Sequence, residues 1–333
     1  MKVALLGPVA WRTPPRHYGP WEQVTSLLAE GLVARGIDVT LFATLDSLTT
    51  AVLDGVCPTG YAETPELDGR IWEALHVSYA LGRSGEFDLV HNHLDWLPLA
   101  FSEHCRAPMV TTIHGFSGPA ILPAYARGRS AYVSISDSDR SPDLDYAATI
   151  YHGIELDTFP FDAVGGEGLV AFGRIHPDKG THAAIEIARR ARRPLTICGI
   201  IQDQRYFDEQ VAPHIDGAQV TYLGSVGPQR RSEILGGSAA LLHPIGFDEP
   251  FGLSVVESMA CGTPVVAYRR GSMAEVVDEG VTGYLVESVA GAVAAVGRIS
   301  TIDRHRCREQ ARSRFGAARM VDDYLRLYRS LTG

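Results

Sequence analysis

The sequence predicts an α/β fold with two domains, each built around a doubly wound parallel sheet. Short apolar runs alternate with helical patterns along the whole chain, which is typical of parallel strands covered by helices. The chain has 333 residues, more than one open-sheet core normally holds, and this length fits two domains of about 150 residues each. The alternation is interrupted between Asp157 and Gly168, where Pro160, Gly165 and Gly166 break any regular pattern.

Five strands are predicted in the first half. They are Val3–Leu6, Val39–Ala43, Leu89–His93, Met109–His114 and Tyr132–Ser136. Between the first two, Trp21, Val24, Leu28 and Leu32 recur at helical spacing before Gly36, a predicted C-terminal cap. The first half therefore contains the elements of one complete parallel sheet.

Six further strands and a long helical region are predicted in the second half. The strands are Leu169–Phe172, Leu195–Cys198, Val220–Leu223, Ala240–His243, Val265–Tyr268 and Tyr284–Val286. Helical spacing then continues from Asp303 to Leu331. We expect domains at residues 1–157 and 158–310, with residues 311–333 forming a C-terminal helix that packs back toward the N-terminal domain.

Composition and charge limit where in the cell the protein can work and which kinds of partner it can bind. No run of ~18 apolar residues is present to span a membrane, and the five cysteines are scattered without a Cys-x-x-Cys pair. This argues against zinc and disulfides and predicts a reducing cytoplasm. Residues 1–157 contain 10 Lys and Arg against 19 Asp and Glu, so the net charge of -9 lies in this half. Such a surface argues against membrane association and nucleic-acid binding.

Two carboxylates flank a predicted helix start in the second half. Glu249 lies in a loop, and Glu257 comes about one turn into the following helix, whose side chains lean back toward this loop. The first amides of a helix have no internal partners and suit a phosphate or sugar oxygen. The residues at this start are Phe251, Gly252, Leu253 and Ser254. The pattern fits a phosphorylated, polyhydroxylated ligand, although either carboxylate alone is equally compatible with a solvated position.

The Glu249–Glu257 segment closely resembles the Glu-x7-Glu motif of the retaining glycosyltransferases of family 4. The run Met259–Val266 matches too, and the resemblance extends from Val3 to about Val286. It implies the GT-B fold, in which two Rossmann-like domains face each other across a cleft. It also implies that the second domain holds the nucleotide and the first holds the acceptor. By resemblance, Glu257 binds the ribose and Glu249 lies beside the transferred sugar.

Two cations follow a strand end in the same half. Lys179 is the only lysine besides Lys2, although arginine occurs throughout, which hints that a compact ammonium is needed here. Arg174 and Lys179 match the family's Gly-Arg and Lys-Gly pattern, which implies that they grip the donor pyrophosphate. The alternative is that both residues are solvated loop cations without a role in binding. Two fixed cations and a helix dipole can offset a leaving diphosphate without a metal, so we expect no cofactor.

Three further positions match family elements in part. His114 ends a strand and resembles the histidine of a Thr-x-His-Gly element, which implies a place beside the sugar and diphosphate, although a lone histidine is more often structural. Gly19 matches the first glycine of a phosphate-binding turn, but Pro20 replaces the second and has no N–H to give. Gly199 keeps one glycine of a Gly-x-Gly pair, so its nucleotide contact stays open.

One predicted strand carries residues of the types that bind metal ions. His91, His93 and Asp95 would share a face if their strand continued that far, but no further ligand with suitable spacing is evident. No Gly-x-Gly-x-x-Gly follows any strand, which argues against a nicotinamide dehydrogenase. We therefore expect no bound metal.

The sequence thus predicts a retaining, hexosyltransferase-like enzyme that moves a sugar from a nucleoside-diphosphate donor to a small-molecule, saccharide or lipid-linked acceptor. His114 and Glu249 would orient the sugar, and Arg174 and Lys179 would stabilise the departing charge. The alternatives are a sugar-nucleotide epimerase, a phosphorylase or a non-catalytic binding protein. The base, the sugar, the acceptor and the oligomeric state stay open.

Overall fold

A computed structural model describes residues 1–115 and 118–333 of the chain, which divides into two compact units. Unit 1 comprises Met1–Gly153 and Ala317–Gly333, and unit 2 comprises Ile154–Gly316. Ile154 and Gly316 form a parallel bridge, so the chain enters and leaves unit 2 side by side. The sequence predicts boundaries after residues 157 and 310, whereas the structure places them after residues 153 and 316.

Unit 1 contains a parallel sheet of seven strands. They are β1 (Lys2–Leu6), β2 (Asp38–Phe42), β3 (Val52–Asp54), β4 (Leu89–Asn92), β5 (Met109–Ile113), β6 (Ala131–Ser134) and β7 (Tyr146–Thr149). Their order across the sheet is β3-β2-β1-β4-β5-β6-β7. The order reverses between β1 and β4, which is the kind of switch point where open α/β sheets bind ligands.

Unit 2 contains a second parallel sheet, of six strands. They are β8 (Leu169–Phe172), β9 (Leu195–Cys198), β10 (Val220–Tyr222), β11 (Ala240–His243), β12 (Val265–Tyr268) and β13 (Gly283–Val286). Their order is β10-β9-β8-β11-β12-β13. The two sheets confirm the predicted fold class of two Rossmann-like, doubly wound domains.

Helices connect the strands, and two helices end the chain. They are α1 (Pro20–Val33), α2 (Gly69–Gly82), α3 (Leu122–Arg127), α4 (Thr181–Ala191), α5 (Gln204–Tyr206), α6 (Pro228–Gly236), α7 (Leu253–Ala260), α8 (Met273–Val276), α9 (Val289–Gly297), α10 (Arg304–Phe315) and α11 (Ala317–Thr332). Pro20 is the first residue of α1, where the missing N–H costs no helical hydrogen bond. The predicted single helical region from Asp303 to Leu331 is two helices, because Gly316 adopts an extended conformation between them.

The last helix belongs to unit 1, where it packs against α1. Gly31 of α1 lies directly under Val321 of α11, and a Cβ at Gly31 would collide with the Val321 side chain. Arg35 adds an ion pair with Asp322 at 2.6 Å. The absence of a side chain at Gly31 therefore allows the two helices to approach closely.

The buried core of unit 1 includes one face of its sheet. Leu6 of β1, Phe42 of β2 and Ile113 of β5 are fully buried there, and Val77 of α2 and Tyr125 of α3 cover them. No helix in the described part of the chain is long and apolar enough to cross a membrane. The five cysteines are all free thiols.

Candidate active site

The start of α7 is shaped by a glycine and by a second loop. Gly252 has a φ of 90° and precedes the helix, where no described side chain caps the first amides. Ser272 donates from its backbone N–H to the carbonyl oxygen of Glu249 at 2.8 Å, and from its hydroxyl to that of Phe251 at 2.9 Å. A side chain at Gly271 would collide with the Glu249 backbone. The loop before α7 is thus held in place by residues that the sequence did not single out.

Glu249 faces two basic groups. Lys179 Nζ lies 2.7 Å from Glu249 Oε2, and His243 Nε2 lies 3.4 Å from the same oxygen. Burial alone would raise the pKa of Glu249, but hydrogen bonding to His243 and the charge of Lys179 outweigh it and lower the pKa to about 2. Lys179 Nζ also lies 4.5 Å from the centre of the Phe247 ring. Glu249 is therefore a carboxylate at neutral pH, and Lys179 is held beside the start of α7.

Two glycines make this arrangement sterically feasible. Gly180 has a φ of 66° and follows Lys179, and a Cβ there would collide with the carbonyl oxygen of Pro244. Gly199 has a φ of 153°, and a Cβ there would collide with the carbonyl oxygen of Gly173. Gly199 thus lets the loops after β8 and β9 touch through their backbones. This packing is a structural reason for the glycine, beside its predicted role at the nucleotide.

Arg174 lies in the loop that leads from β8 to Lys179 and has its own partners. Its guanidinium lies 3.3 Å from Asp178 Oδ2 and donates a second hydrogen bond to Gln202. The other oxygen of Asp178 lies 2.7 Å from His176 Nδ1. The planar fork of Arg174 is therefore oriented from two sides.

Glu257 projects from α7 and is nearly buried. Arg231 of α6 contacts both of its carboxylate oxygens from one nitrogen, at 3.0 and 3.2 Å. Burial raises the pKa of Glu257, and the charge and hydrogen bonds of Arg231 oppose that rise. The guanidinium also lies 4.9 Å from the centre of the Phe172 ring. Arg231 was missed by the sequence argument, because no motif or spacing connects it to Glu257.

The charges of this cluster balance in pairs. Three cations each face one carboxylate, as Arg174 with Asp178, Lys179 with Glu249, and Arg231 with Glu257. A diphosphate arriving here would compete with Asp178 and Glu249 for their cations. The two predicted phosphate-binding cations are therefore present, but each is already matched by an acid.

Gly19 and His114 are the predicted site residues that belong to unit 1. Gly19 has a φ of 151°, and a Cβ there would lie 2.8 Å from Pro15 Cβ. Two residues later, the Trp21 ring stacks on His114 with 5.2 Å between ring centres. The start of α1 and the end of β5 are thus neighbours within unit 1.

The three residues of the metal alternative do not come together in the part of the chain that the structure describes. No group of three or more histidine, cysteine or acidic side chains is arranged there to hold an ion. β4 ends at Asn92, and Asp95 adopts a left-handed conformation and accepts a hydrogen bond from Tyr125. Asp95 consequently does not join His91 and His93, because the strand that would have aligned the three is too short.

Comparison with protein families decides the class of this site. Residues 22–140 match the model described as Glycosyltransferase Family 4, and residues 164–314 match the model described as Glycosyl transferases group 1. The chain is a group 1 glycosyltransferase. Membership of this family favours a glycosyltransferase over an epimerase, a phosphorylase or a non-catalytic binding protein.

Individual relatives of this glycosyltransferase are distant but cover it well. A glycogen synthase of Mycobacterium tuberculosis is 28% identical over 95% of this chain and 90% of its own length. Among solved structures, AviGT4, a glycosyltransferase involved in avilamycin A biosynthesis, has a TM-score of 0.77 at 24% identity, covering 100% of this chain and 98% of its own. Anabaena HepE, solved with UDP and glucose, has a TM-score of 0.75 at 19% identity, covering 99% and 100%. These structural matches confirm the GT-B fold.

Proposed function

We propose that this glycosyltransferase transfers a sugar from a nucleoside-diphosphate donor with retention of anomeric configuration, and that unit 2 binds the donor. The observation that carries the proposal is the Lys179–Glu249 ion pair at the start of α7. It brings the Lys179 ammonium and a buried carboxylate together with helix amides that suit phosphate oxygens. The HepE complex with UDP and glucose supports a uridine diphosphate sugar as the first donor to test.

The proposed chemistry uses Lys179 as a cation that changes partners. The bond between the anomeric carbon and the diphosphate oxygen breaks through an oxocarbenium-like transition state. The acceptor oxygen forms its bond to that carbon from the same face, and its proton passes to the departing diphosphate. Lys179 and Arg174 stabilise the diphosphate charge, as preorganised donors do in other sites. Glu249 and His114 border the sugar.

Glu257 is proposed to bind the ribose hydroxyls of the donor. Only an ionised carboxylate accepts strong hydrogen bonds from both hydroxyls. Burial raises the pKa of Glu257, and the charge of the adjacent Arg231 opposes that rise and so favours the carboxylate form. Phe251, Gly252, Leu253 and Ser254 are proposed to face the donor through the start of α7, and Gly199 and Gly19 are proposed to contact the donor as well.

Cofactor, location and acceptor complete the proposal. The two cations supply the charge that a divalent metal supplies elsewhere, so activity should persist in EDTA and should not rise when Mg²⁺ or Mn²⁺ is added. Strict dependence on either ion would contradict this account. The free cysteines support a reducing cytoplasm. Unit 1 is proposed to bind the acceptor, which is a small molecule, a saccharide or a lipid-linked sugar.

The decisive experiment combines donor screening with a lysine pair. A donor at ~100 times its dissociation constant adds about 2.7 kcal/mol of stability, so a thermal-shift panel of sugar nucleotides identifies it. With that donor, Lys179→Ala should lower turnover by ~10²-fold or more. Lys2→Ala, which alters the only other lysine, is the matched control and should keep wild-type turnover.

Two outcomes would count against the proposal. Wild-type turnover in a folded Lys179→Ala protein would remove the diphosphate assignment. An inverted anomeric configuration in the earliest product, read from the anomeric proton coupling by NMR, would remove the retaining assignment.

A further inference from the structure

Four buried histidines of unit 1 form a continuous hydrogen-bonded chain. His93 Nε2 lies 3.2 Å from His91 Nδ1, His93 Nδ1 lies 3.1 Å from His114 Nε2, and His114 Nδ1 lies 3.2 Å from His152 Nε2. Each link joins an Nδ1 atom to an Nε2 atom. We call these four residues the histidine chain. Both ring nitrogens of His114 are used within it.

The parallel sheet of unit 1 brings the four residues of the histidine chain together. His91 lies on β4 and His93 follows that strand, while His114 and His152 come shortly after β5 and β7. All four side chains are buried, with at most 6% of any residue exposed. Water therefore does not compete for their nitrogens, and each ring depends on its protein partners.

The four rings are neutral at physiological pH. Burial is the main cause that lowers their pKa values, and neighbouring imidazoles of the chain lower the pKa of His91, His93 and His114 further. For His152, the charge of Arg319 acts with burial, and the pKa falls to about 3. A neutral imidazole has one N–H donor and one acceptor nitrogen, so each ring must adopt one of two tautomers.

The links allow only two consistent hydrogen orders. If His91 Nδ1 is an acceptor, His93 must carry its proton on Nε2, since two lone pairs would otherwise face each other at 3.2 Å. His93 Nδ1 then accepts from His114 Nε2–H, and the same pattern continues to His152. If His91 Nδ1 instead carries the proton, every ring adopts the Nδ1–H tautomer. The tautomers of all four histidines therefore change together.

Two tyrosines of α11 act on His91 from opposite sides. The Tyr328 hydroxyl lies 2.5 Å from His91 Nδ1, and donation from it requires the Nε2–H order, in which Tyr328 shares the one lone pair of that nitrogen with His93 Nε2–H. On the other side, Thr112 Oγ1 lies 2.8 Å from His91 Nε2 and 2.7 Å from the Tyr324 hydroxyl. Donation from Tyr324 through Thr112 requires the Nδ1–H order. Each tyrosine thus favours one order and opposes the other.

We propose that Tyr324 and Tyr328 are positioning residues that set the tautomer of His114 through the histidine chain. His114 then enters the active site as a neutral ring with both nitrogens committed, and it serves neither as general acid nor as general base. Its importance for catalysis rests on the proposed function, but the tautomer itself does not. Because the contact of Tyr328 is the shortest in the network, the Nε2–H order is expected in the wild-type protein.

The test is a pair of conservative variants with opposite expected results. Nitrogen-15 NMR of the imidazole rings distinguishes protonated from unprotonated nitrogens at each histidine. Tyr328→Phe should move the His114 proton to Nδ1, whereas Tyr324→Phe should keep it on Nε2. Tyr125→Phe removes another buried hydroxyl of unit 1 that bonds Asp95 instead, and it should leave the wild-type tautomers unchanged. No sugar donor is needed, so failure here is separable from failure of the proposed function.

The wild-type spectrum gives a second test that depends on no substitution. All four rings should report the same tautomer, or the same average if the two orders exchange. Different tautomers among the four rings would overturn the proposal. An identical His114 tautomer in the Tyr324→Phe and Tyr328→Phe proteins would overturn it as well.

Discussion

Unit 1 should lose stability between pH 7 and pH 5, and His76 isolates one part of that loss. His76 is fully buried on α2, and its Nε2 lies 3.0 Å from the carbonyl oxygen of Gly7. Burial lowers its pKa from 6.5 to about 4, against the opposing effect of the Gly7 hydrogen bond. The unfolded state therefore binds a proton near pH 6.5, whereas the folded state binds it only near pH 4. Stability is present above pH 6.5 and falls as the pH is lowered.

The size of the effect follows from the unfolded state. At pH 5 an imidazole with its ordinary pKa is about 97% protonated when unfolded, which favours unfolding by about 2 kcal/mol per buried histidine. The histidine chain acts in the same direction. Glu22 and Asp95 oppose it, because burial raises their pKa values to about 7 and about 6, and on acidification to pH 5 they return about 2 and about 1 kcal/mol. Five buried histidines thus act against two buried carboxyls.

His76→Gln tests this account directly, since its amide can still donate to Gly7 but cannot titrate. Urea unfolding at pH 7 and pH 5 is followed by tryptophan fluorescence, which reports unit 1 alone because all four tryptophans lie there. The variant should lose about 2 kcal/mol less than wild type between the two pH values. His17→Gln changes an exposed histidine of the same unit and should lose as much as wild type. Equal losses in His76→Gln and wild type would refute the reasoning.

Two further predictions concern unit 2. Glu257→Gln should weaken donor affinity by ~10-fold or more, measured by calorimetry, because an amide replaces only part of two charge-assisted hydrogen bonds. Arg231→Met should weaken donor affinity more at pH 6 than at pH 8. A change in affinity that does not depend on pH would show that Arg231 does not act through the ionisation of Glu257. Gly199→Ala should destabilise unit 2 by at least about 2 kcal/mol in thermal unfolding followed by circular dichroism, since its Cβ meets the Gly173 backbone. Gly217→Ala is the control, because φ is also positive there but nothing lies within 4 Å of the added Cβ. It therefore measures the cost of the backbone conformation without the collision.

The central strands of both sheets are predictable from sequence, and two edge strands of unit 1 are not. β1, β4 and β5 are buried at nearly every position, and apolar or β-branched residues such as Val3, Val90 and Val110 mark them as strands. β3 and β7 lie at the two edges and are only half-buried, so burial leaves a weaker pattern in their sequences. Edge strands obtain their conformation from the neighbouring strand, which a local pattern does not report.

The candidate site divides in a similar way. Glu249 and Glu257 are eight positions apart on one loop and helix, and their motif identifies both. Arg231 and His243 reach those carboxylates from other elements, so only the folded chain reveals them. His91 and His93 do share a face, as the sequence predicts, and their hydrogen-bond partners give a structural reason for both histidines. The chain to His114 depends on strands that are neighbours in space and not in sequence.

The pairing of charges gives a physical reason for the lysine at position 179. Arg174 is a planar fork already oriented by Asp178 and Gln202, so it suits a fixed phosphate contact. In the proposed mechanism, a cation shared between Glu249 and a departing diphosphate must instead turn from one anion to the other. An ammonium on a flexible stem does this without losing a bidentate geometry, and the Phe247 ring keeps it near both. Hydrogen bonding to His243 still lowers the pKa of Glu249 when the lysine turns, and in the proposed mechanism the carboxylate charge favours the positive sugar that forms as the diphosphate leaves.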